Sequence, residues 1–489
     1  MKVFHLLLLT LALVPGSAAA DWPQFRGPNS SGLYTGKPVP TEFGPGKNEL
    51  WHLDLLPGHS SPCIAGKKMF LTGFDKENKK LEVLCIDLEK GEILWRRGVQ
   101  VRQLERGHPS FNPASSSPAT DGERVVAYFG SYGLLCFSNS GEKLWEIRMP
   151  MTRSYAGNAT SPIITGDRVI LYRGNHVDHF VMAVDKKNGR EIWKVPQQEP
   201  FASELACTSC PIVRDNQLIL HSARSVQALE LKTGKLIWGV KCATTATSTP
   251  VLWNRQVLVA AWNKMGEPAL RPRFPTYQEL ISKHDQDGDQ LISRKEYPRL
   301  WIFHRPDGAE APQNGATLRF ESADQNRNGT LEPGEWEVQL KRMAAFRAGY
   351  QTHGMLSIPT TNQGWISRDS VTTLAEQGVP EVPSPLAQDD LLYFVKNGGT
   401  LTCFDLQRGQ QVYRIRTGGR GTHYASPIIC NQHLYTFSGE GKVSVIRTGR
   451  EGKVVARNQL DDRVYASPAV HEGVLYVRTH SRLYAFGNR

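Results

Sequence analysis

The chain has 489 residues, 44 of them glycine and 30 proline, and it carries a formal net charge of +11 at pH 7. This content of turn-forming residues is typical of an all-β chain, and 40% hydrophobic residues are enough for a packed core. The positive charge favours anionic partners, such as acidic glycans or a membrane surface. The basic residues are scattered and not clustered with aromatic residues, which argues against nucleic-acid binding.

The first 20 residues have the pattern of a signal peptide. A basic start at Lys2 precedes an apolar run from Leu6 to Val14, and small residues up to Ala20 form a cleavage site. No other stretch approaches the ~20 apolar residues that a membrane helix needs. A lipoprotein would need a cysteine at its new N-terminus, whereas the first cysteine is Cys63. We therefore expect an exported protein, periplasmic or extracellular, cleaved after Ala20, with no lipid anchor and no membrane span.

A repeat follows an N-terminal extended segment over residues 21–49. A glycine precedes a tryptophan or tyrosine by four residues at intervals of about 45 to 50 residues, with one longer gap. The pairs are Gly91 and Trp95, Gly141 and Trp145, Gly189 and Trp193, Gly234 and Trp238, and Gly409 and Tyr413. A repeat of this length, built from short strands and turns, predicts the blades of a β-propeller. One tryptophan per repeat indicates docking of blade against blade.

A second repeat counts the blades. A small residue followed by proline precedes an apolar strand eight times. These dipeptides begin at Ser61, Ser117, Ser161, Cys210, Thr249, Ser384, Ser426 and Ser467. Proline at the first residue of a strand removes no ladder hydrogen bond, so each dipeptide marks the start of a blade's innermost strand. We predict an all-β, eight-bladed propeller over residues 50–264 and 350–489, with an insertion in blade five.

The eighth repeat ends at Phe486 without a fourth strand. The segment from Leu50 to Leu53, which contains Trp51, is expected to supply the missing strand. Closing the ring with an N-terminal strand joins the two ends of the chain and removes an exposed sheet edge.

Eight cysteines allow disulfides in an exported protein, but the repeat register argues against most of them. Cysteines at first-strand and third-strand positions are interpreted as small buried packing residues. They are Cys63, Cys85, Cys136, Cys403 and Cys430. A disulfide among Cys207, Cys210 and Cys242 stays open.

The long gap in the repeat contains two twelve-residue loops of the EF-hand type, which we place in a small helical insertion over residues 265–349. Such loops hold calcium with hard oxygen ligands at alternate positions, a backbone carbonyl at position 7 and a bidentate glutamate at position 12. In the first loop the predicted ligands are Asp285, Asp287, Asp289, Leu291 through its carbonyl, Ser293 and Glu296. Position 6 is normally glycine; here it is Gln290, which strains the turn.

The second loop runs from Asp324 to Glu335 and keeps Gly329 at position 6, with fewer carboxylates. Its predicted ligands are Asp324, Asn326, Asn328, Thr330, Glu332 and Glu335. Predicted helices flank the two loops at residues 277–284, 320–323 and 336–345. Ile292, at position 8 of the first loop, is the β-branched residue through which two such loops pair. The expected bound ion is calcium.

The Asp-x-x-x-Gly-x-x-x-Trp blades, the opening sequence from Asp21 to Asn29 and the closing sequence Leu483-Tyr-Ala-Phe486 resemble those of the bacterial pyrroloquinoline-quinone-like (PQQ-like) β-propeller repeat proteins. The resemblance covers nearly all of the mature chain outside the insertion and implies the propeller fold. It does not select a function, because the family includes quinoprotein dehydrogenases and non-catalytic members such as the outer-membrane-protein assembly scaffold.

The resemblance implies that a dehydrogenase would hold its quinone between a tryptophan and a disulfide of adjacent cysteines, beside a calcium and a catalytic aspartate. This sequence has no two adjacent cysteines, and Pro211 follows Cys210 where a haem attachment motif needs histidine. We therefore expect no quinone and assign no catalytic or cofactor-binding residue. Candidates for one mouth of the channel are His59, Asn112, Arg153, Tyr155, Asn158, Glu204, Arg420, His423, Tyr424 and Tyr465.

Three interpretations of function remain. The favoured one is an exported, non-catalytic scaffold that binds calcium in its insertion and a protein or anionic glycan at the mouth. The second is a quinone-dependent periplasmic oxidoreductase, and the third is a hydrolase or lyase acting at the mouth.

Overall fold

The computed structural model describes residues 21–199, 208–222, 224–242, 245, 247–263, 265, 267, 271–304, 315–348 and 352–488. The predicted signal peptide, Glu204 and Cys207 lie outside these residues. The described chain forms eight blades in a ring, each built on four antiparallel strands, which confirms the predicted eight-bladed β-propeller. No helix within the described ranges is long and apolar enough to cross a bilayer.

The elements follow in chain order. The N-terminal segment contains a short 3₁₀ helix, Pro28–Ser30, and the strands β1 (Leu33–Tyr34) and β2 (Glu49–Asp54). Blades one and two contain β3 (Cys63–Ala65), β4 (Lys68–Asp75), β5 (Lys80–Asp87), β6 (Ile93–Gln100), β7 (Ala119–Thr120), β8 (Arg124–Phe129), β9 (Gly133–Ser138) and β10 (Lys143–Arg148). Blades three and four contain β11 (Ile163–Thr165), β12 (Arg168–Gly174), β13 (His179–Asp185), β14 (Glu191–Pro196), β15 (Ile212–Arg214), β16 (Gln217–His221), β17 (Ser225–Glu230) and β18 (Leu236–Lys241).

Blade five begins with β19 (Val251–Trp253) and β20 (Gln256–Ala261). The insertion then contains α1 (Tyr277–His284), β21 (Ile292–Ser293), β22 (Leu300–His304), β23 (Gly315–Leu318), α2 (Phe320–Ala323), β24 (Thr330–Leu331) and α3 (Pro333–Ala348). Blade five resumes with β25 (Gly354–Pro359), followed by β26 (Gly364–Trp365), a 3₁₀ helix at Arg368–Ser370 and β27 (Thr372–Ala375). Blades six to eight contain β28 (Leu386–Gln388), β29 (Leu391–Lys396), β30 (Thr400–Asp405), β31 (Gln410–Arg416), β32 (Ile428–Cys430), β33 (His433–Phe437), β34 (Lys442–Arg447), β35 (Val454–Gln459), β36 (Ala469–His471), β37 (Val474–Arg478) and β38 (Arg482–Phe486).

Blade three illustrates how the sequence produces a blade. Gly166, with a φ of 57°, closes the turn from β11 into β12. Asp185 ends β13, and its carboxylate accepts the backbone N–H groups of Lys187 and Asn188, which caps the turn into β14. The middle strands β12 and β13 are almost entirely buried, whereas β14 buries chiefly Trp193. A blade therefore packs through its two middle strands and one aromatic side chain on its outer strand.

Four of the repeated tryptophans dock their blade onto a glycine of the next blade. The indole of Trp145 in blade two lies so close to Gly189 in blade three that a Cβ there would be 2.9 Å from the ring. The indole N–H of Trp145 donates to the carbonyl of Lys186, 3.0 Å away. The same arrangement pairs Trp51 with Gly91, Trp95 with Gly141, and Trp193 with Gly234. The predicted docking role is confirmed, and the glycine is needed for clearance as well as for its positive φ.

The N-terminal strand closes the ring as the sequence predicts. Strand β2 pairs antiparallel with β38, with Trp51 opposite Ala485, and completes blade eight in the order β2-β38-β37-β36. Trp51 therefore occupies, on the outer strand of blade eight, the position that the docking tryptophan has in the other blades.

The segment before β2 crosses the central channel, which the sequence did not reveal. Trp22 pairs through its backbone with Ile64 in the innermost strand of blade one. The side-chain amide of Asn29 exchanges two hydrogen bonds of 2.8 Å with the backbone of Val213 in blade four. Strand β1 then adds to the innermost strand of blade seven in parallel. The segment therefore contacts the inner strands on both sides of the channel and crosses the axis between them.

The insertion leaves blade five between β20 and β25, which pair with each other. It has its own core, which includes Leu280, Ile292 and Trp336. Strands β21 and β24 pair the two loops, with Ile292 opposite Leu331, which confirms the predicted pairing through position 8. Helices α1 and α2 have the predicted bounds, and α3 extends three residues beyond the prediction at each end. After the first loop the chain enters the hairpin β22–β23.

Candidate functional site

The small residues of the eight dipeptides form a hydrogen-bonded ring around the channel. The N–H of Ser61 donates to the hydroxyl of Ser117 in the next blade, and the N–H of Ser467 donates to the hydroxyl of Ser61, which joins the last blade to the first. At the junction of blades three and four, Ser161 is hydrogen-bonded to Cys210. The intervening bonds run from Ser117 to Ser161, Cys210 to Thr249, Thr249 to Ser384, Ser384 to Ser426 and Ser426 to Ser467, at 2.8 to 3.0 Å. Each hydroxyl accepts from its neighbour, so its own hydrogen remains as a donor.

Above this hydroxyl ring the channel widens into a cavity of about 590 Å³. We call it the mouth cavity. Its wall includes Phe25 from the N-terminal segment and Phe303 from the insertion, in addition to the ring. The blade entrances, the segment that crosses the channel and the insertion therefore meet at one site.

Four of the predicted mouth residues line the cavity: His59, Tyr155, Tyr424 and Tyr465. Asn112, Asn158 and His423 are instead buried and absent from its lining. Arg153 and Arg420 are likewise not among the lining residues.

The sequence missed several wall residues. Four of them lie in the connections between blades: His108, Phe111, Thr247 and Glu381. Trp262 and Asn397 lie within blades five and six, and Phe303 lies in the insertion. The connections between blades have no repeat pattern that could have revealed these residues. The hydroxyl ring does have a repeat pattern in the sequence, because Ser or Thr precedes the proline in seven of the eight blades.

Two buried arginines adjoin the cavity. Arg26 donates at 2.6 Å to the carbonyl of Pro385, the residue that follows Ser384 of the ring. Arg478 donates at 2.7 Å to the carbonyl of Thr72. Burial lowers the pKa of each guanidinium to about 9. Within the described residues neither has a carboxylate partner, and Nε and Nη1 of Arg26 and Nε of Arg478 have no hydrogen-bond acceptor.

Aromatic groups form two facing walls. On blades seven, eight and one, the rings of Tyr424 and Tyr465 are 5.2 Å apart, and His59 meets Tyr465 edge-on at 5.0 Å. On blades two and three, His108 and Tyr155 are 5.8 Å apart. Burial, followed by the charges of Arg478, His480 and Arg463, lowers the pKa of His59 to about 3. His59 is therefore neutral at physiological pH, and its surroundings are electropositive.

The first loop of the insertion folds around its own carboxylates. Oxygen atoms of Asp285, Asp287 and Asp289 all lie within 4.8 Å of one another. Glu296 accepts the N–H groups of Gln286 and Ser293, both at 2.8 Å. Hydrogen bonds from Ser293 and from these backbone groups lower the pKa of Glu296 to about 2. Gln290 has the expected positive φ, 65°.

The second loop repeats this arrangement. Glu335 accepts the N–H of Asn326 at 3.0 Å and that of Glu332 at 3.2 Å. The N–H of Gly329, which has a φ of 90°, donates to Oδ2 of Asp324 at 3.1 Å. Asp324 is only 6% exposed, yet its Oδ1 has no hydrogen-bond partner among the described residues. A buried carboxylate oxygen without a donor fits a cation ligand, and the oxygen-rich set in both loops is the chemistry that calcium prefers.

The insertion connects these loops to the mouth cavity. Strand β22 begins four residues after Glu296 and carries Phe303 into the cavity wall. Helix α3, which contains Glu335, reaches the same strand, because Arg347 donates to the carbonyl of Ile302 at 2.8 Å. The last ligand position of each loop is therefore linked to one wall of the cavity.

All seven described cysteines are buried. The packing role predicted for the first-strand and third-strand cysteines is confirmed. Cys210 is an unbridged thiol that takes a place in the hydroxyl ring, so the possible Cys210–Cys242 disulfide is not formed. Burial raises the pKa of the Cys210 thiol, which disfavours its reactive thiolate form.

Comparisons with known proteins agree with the fold. A family model described as the outer membrane protein assembly factor BamB matches residues 79–314. No curated protein sequence matches the chain. BamB from Moraxella catarrhalis has a similar structure, with a TM-score of 0.52 and 11% identity over 90% of this chain and 97% of that one.

Two dehydrogenase structures are also similar. A europium-containing methanol dehydrogenase has a TM-score of 0.57 and 10% identity over 96% of this chain and 98% of that one. A quinohemoprotein alcohol dehydrogenase from Comamonas testosteroni has a TM-score of 0.54 and 11% identity, covering 96% and 81% of the two chains. Identities this low define the fold alone. By its fold the chain is a PQQ-like β-propeller, similar in structure to BamB and to these dehydrogenases.

Proposed function

We propose that the protein is an exported, non-catalytic propeller that binds calcium in its insertion and holds an envelope or extracellular partner at the mouth cavity. The observation that carries the calcium assignment is the pair of loops with matching backbone geometry. Asp324 supports it further, because its buried Oδ1 has no hydrogen-bond donor of its own among the described residues. The signal-peptide pattern of residues 1–20 supports export.

The residues that would hold calcium are, in the first loop, Asp285, Asp287, Asp289, the carbonyl of Leu291, Ser293 and Glu296, and in the second, Asp324, Asn326, Asn328, Thr330, Glu332 and Glu335. In the first loop, repulsion among the clustered carboxylates disfavours the compact conformation until a cation neutralises it. The second loop carries less charge and repels less. Extracellular modules of this type bind calcium at ~10⁻⁴ to 10⁻³ M, which an exported protein can still use.

The residues of the cavity wall favour binding of a partner over catalysis with a bound quinone. Cys210 is the one cysteine in its described wall, and it belongs to the hydroxyl ring, so the adjacent-cysteine clamp has no counterpart there. Its described histidines pack against tyrosines, His59 against Tyr465 and His108 against Tyr155. The residues present therefore do not fit the quinone.

Calorimetric titration with calcium tests the proposal. Glu296→Gln and Glu335→Gln should each remove one bound ion, because position 12 supplies two ligand oxygens. Glu337→Gln, an exposed glutamate on the same helix as Glu335, is the matched control and should bind as the parent does. At 10 mM calcium, the affinities above correspond to about 1.4 to 2.7 kcal/mol of stabilisation of the insertion.

Calcium should therefore raise a separate low-temperature melting step and move the propeller transition little. Absence of binding at millimolar calcium, or a double variant that still binds two ions, would overturn the calcium assignment. A stoichiometric quinone spectrum after reconstitution would overturn the non-catalytic assignment. Capture of partners from the native envelope fraction, with and without calcium, tests the scaffold role.

A further inference from the structure

We propose that the mouth cavity binds a carboxylated saccharide, with its carboxylate at the hydroxyl ring above Arg26 and its sugar ring between the two aromatic walls. This inference rests on the proposed binding role of the cavity and names the chemical class of the ligand.

Positive charge lies directly behind the cavity wall, and the described protein leaves it unbalanced. Arg26 is fully buried, and it donates to the backbone carbonyls of Ser31 and Pro385. Arg26 follows Phe25 of the cavity wall, and its acceptor Pro385 follows Ser384 of the ring. Arg478 is the second such cation, and it donates at 2.6 Å to the hydroxyl of Ser60, which lies between the wall residues His59 and Ser61. In a poorly solvated site, unpaired cations are costly, and an anionic ligand group offsets that cost.

The hydroxyl ring supplies the donors for this anion. Ser61, Ser117, Ser426 and Ser467 all line the cavity, and each accepts the N–H of a neighbouring ring residue. The hydroxyl hydrogens can then turn towards the axis, where they converge. Hydrogen bonds to an ionised acceptor are stronger than those between neutral groups, so a carboxylate gains more from this ring than an uncharged group does.

The walls fit a saccharide better than an extended peptide side chain. Tyr155 is 54% exposed and faces the cavity from blade three, while Tyr424 and Tyr465 face it from blades seven and eight. Rings on opposite sides can stack on the C–H faces of a sugar, and Asn397 and Thr247 in the wall offer polar partners for its hydroxyl groups. The wall carboxylate of Glu381 accepts from the side-chain amide of Asn397 at 3.2 Å. A volume of about 590 Å³ suits a short oligosaccharide.

The test compares trigalacturonic acid with its methyl ester by titration calorimetry against the full mature protein in calcium. The two probes differ in charge and share the sugar rings. The ester should bind roughly 10- to 100-fold more weakly, which is the fold-change expected from losing charge-assisted hydrogen bonds. Binding of the acid should also weaken as salt rises.

Variants separate the walls from the base. Tyr155→Ala should weaken binding roughly two- to tenfold. Trp365→Ala is the matched control, because Trp365 is also 54% exposed and lies on β26, outside the cavity wall. Arg26→Gln should reduce the difference between acid and ester, and Arg26→Lys should restore part of it. If the Arg26 variants do not fold, the comparison of the two probes on the parent protein still decides the question.

Equal affinity for the acid and the ester would overturn the inference, as would failure of both probes to bind. In the second case, normal calcium titration together with capture of an envelope partner would show that the proposed function stands and only the ligand class is wrong. Loss of calcium binding and partner capture as well would refute both.

Discussion

The glycine that receives each docking tryptophan offers a test of what holds adjacent blades together. Gly189 and Gly166 lie in the same blade, and both have a positive φ, 73° and 57°. A Cβ at Gly189 would lie 2.9 Å from the indole of Trp145, whereas nothing lies within 4 Å of one at Gly166. Alanine at either position has the same backbone conflict, and only Gly189→Ala also pushes on the neighbouring blade.

The expected costs follow from these two effects. Alanine at positive φ costs about 1 kcal/mol, so Gly166→Ala should lose about that much stability. Overpacking against Trp145 adds about 1 to 3 kcal/mol, which gives about 2 to 4 kcal/mol for Gly189→Ala. Guanidinium denaturation followed by tryptophan fluorescence measures the difference between the two midpoints. Equal losses in the two variants would show that the tryptophan contact does not couple the blades.

Two other predictions concern buried charge and ring closure. Glu105 is 5% exposed, and burial raises its pKa from 4.5 to about 8, so the folded state keeps it protonated. The contribution of Glu105 to stability should fall by about 1.4 kcal/mol per pH unit as pH rises from 4.5 towards 8, whereas buried histidines such as His221, whose pKa burial lowers to about 4, act in the opposite direction up to their ordinary pKa. Glu105→Gln should remove the glutamate's contribution, so the stability of the variant should fall less steeply than that of the parent in melts from pH 5 to 8, and parallel curves would contradict the assignment. A chain truncated to start at Gly58 lacks β2 and exposes an edge of β38. This truncated protein should aggregate or lose cooperative melting. If it melts as the mature chain does, closure of the ring by β2 is contradicted.

The blades could be predicted from the sequence because each is specified locally and repeated. Gly166, Asp185 and Gly189 act within a few residues of their own position, so their pattern is visible in the printed chain. The ends of the ring were predictable for the same reason, since Trp51 fills a position that the repeat leaves empty. The insertion was predictable from loop chemistry that recurs twice.

The path of the N-terminal segment could not be predicted in this way. Asn29 bonds to Val213, 184 residues away, and the contact belongs to no repeat. Part of the cavity wall has the same origin: His108 and Phe111, which the sequence missed, lie in a connection between blades that has no repeat pattern. Phe303 reaches the cavity from the hairpin β22–β23, which the sequence analysis did not predict. Contacts of this kind depend on which distant surfaces the closed ring brings together.

The hydroxyl ring shows why a correct count of blades still left its chemistry unexplained. Proline accounts for where each innermost strand begins, but it does not account for the Ser or Thr before it. That residue is needed because the N–H of the adjacent ring residue is buried at the blade junction and requires an acceptor. The same hydroxyls face the mouth cavity, so the groups that close the propeller also offer donors to a ligand. A ring substitution would therefore change stability and binding together, and only wall residues such as Tyr155 can separate the two.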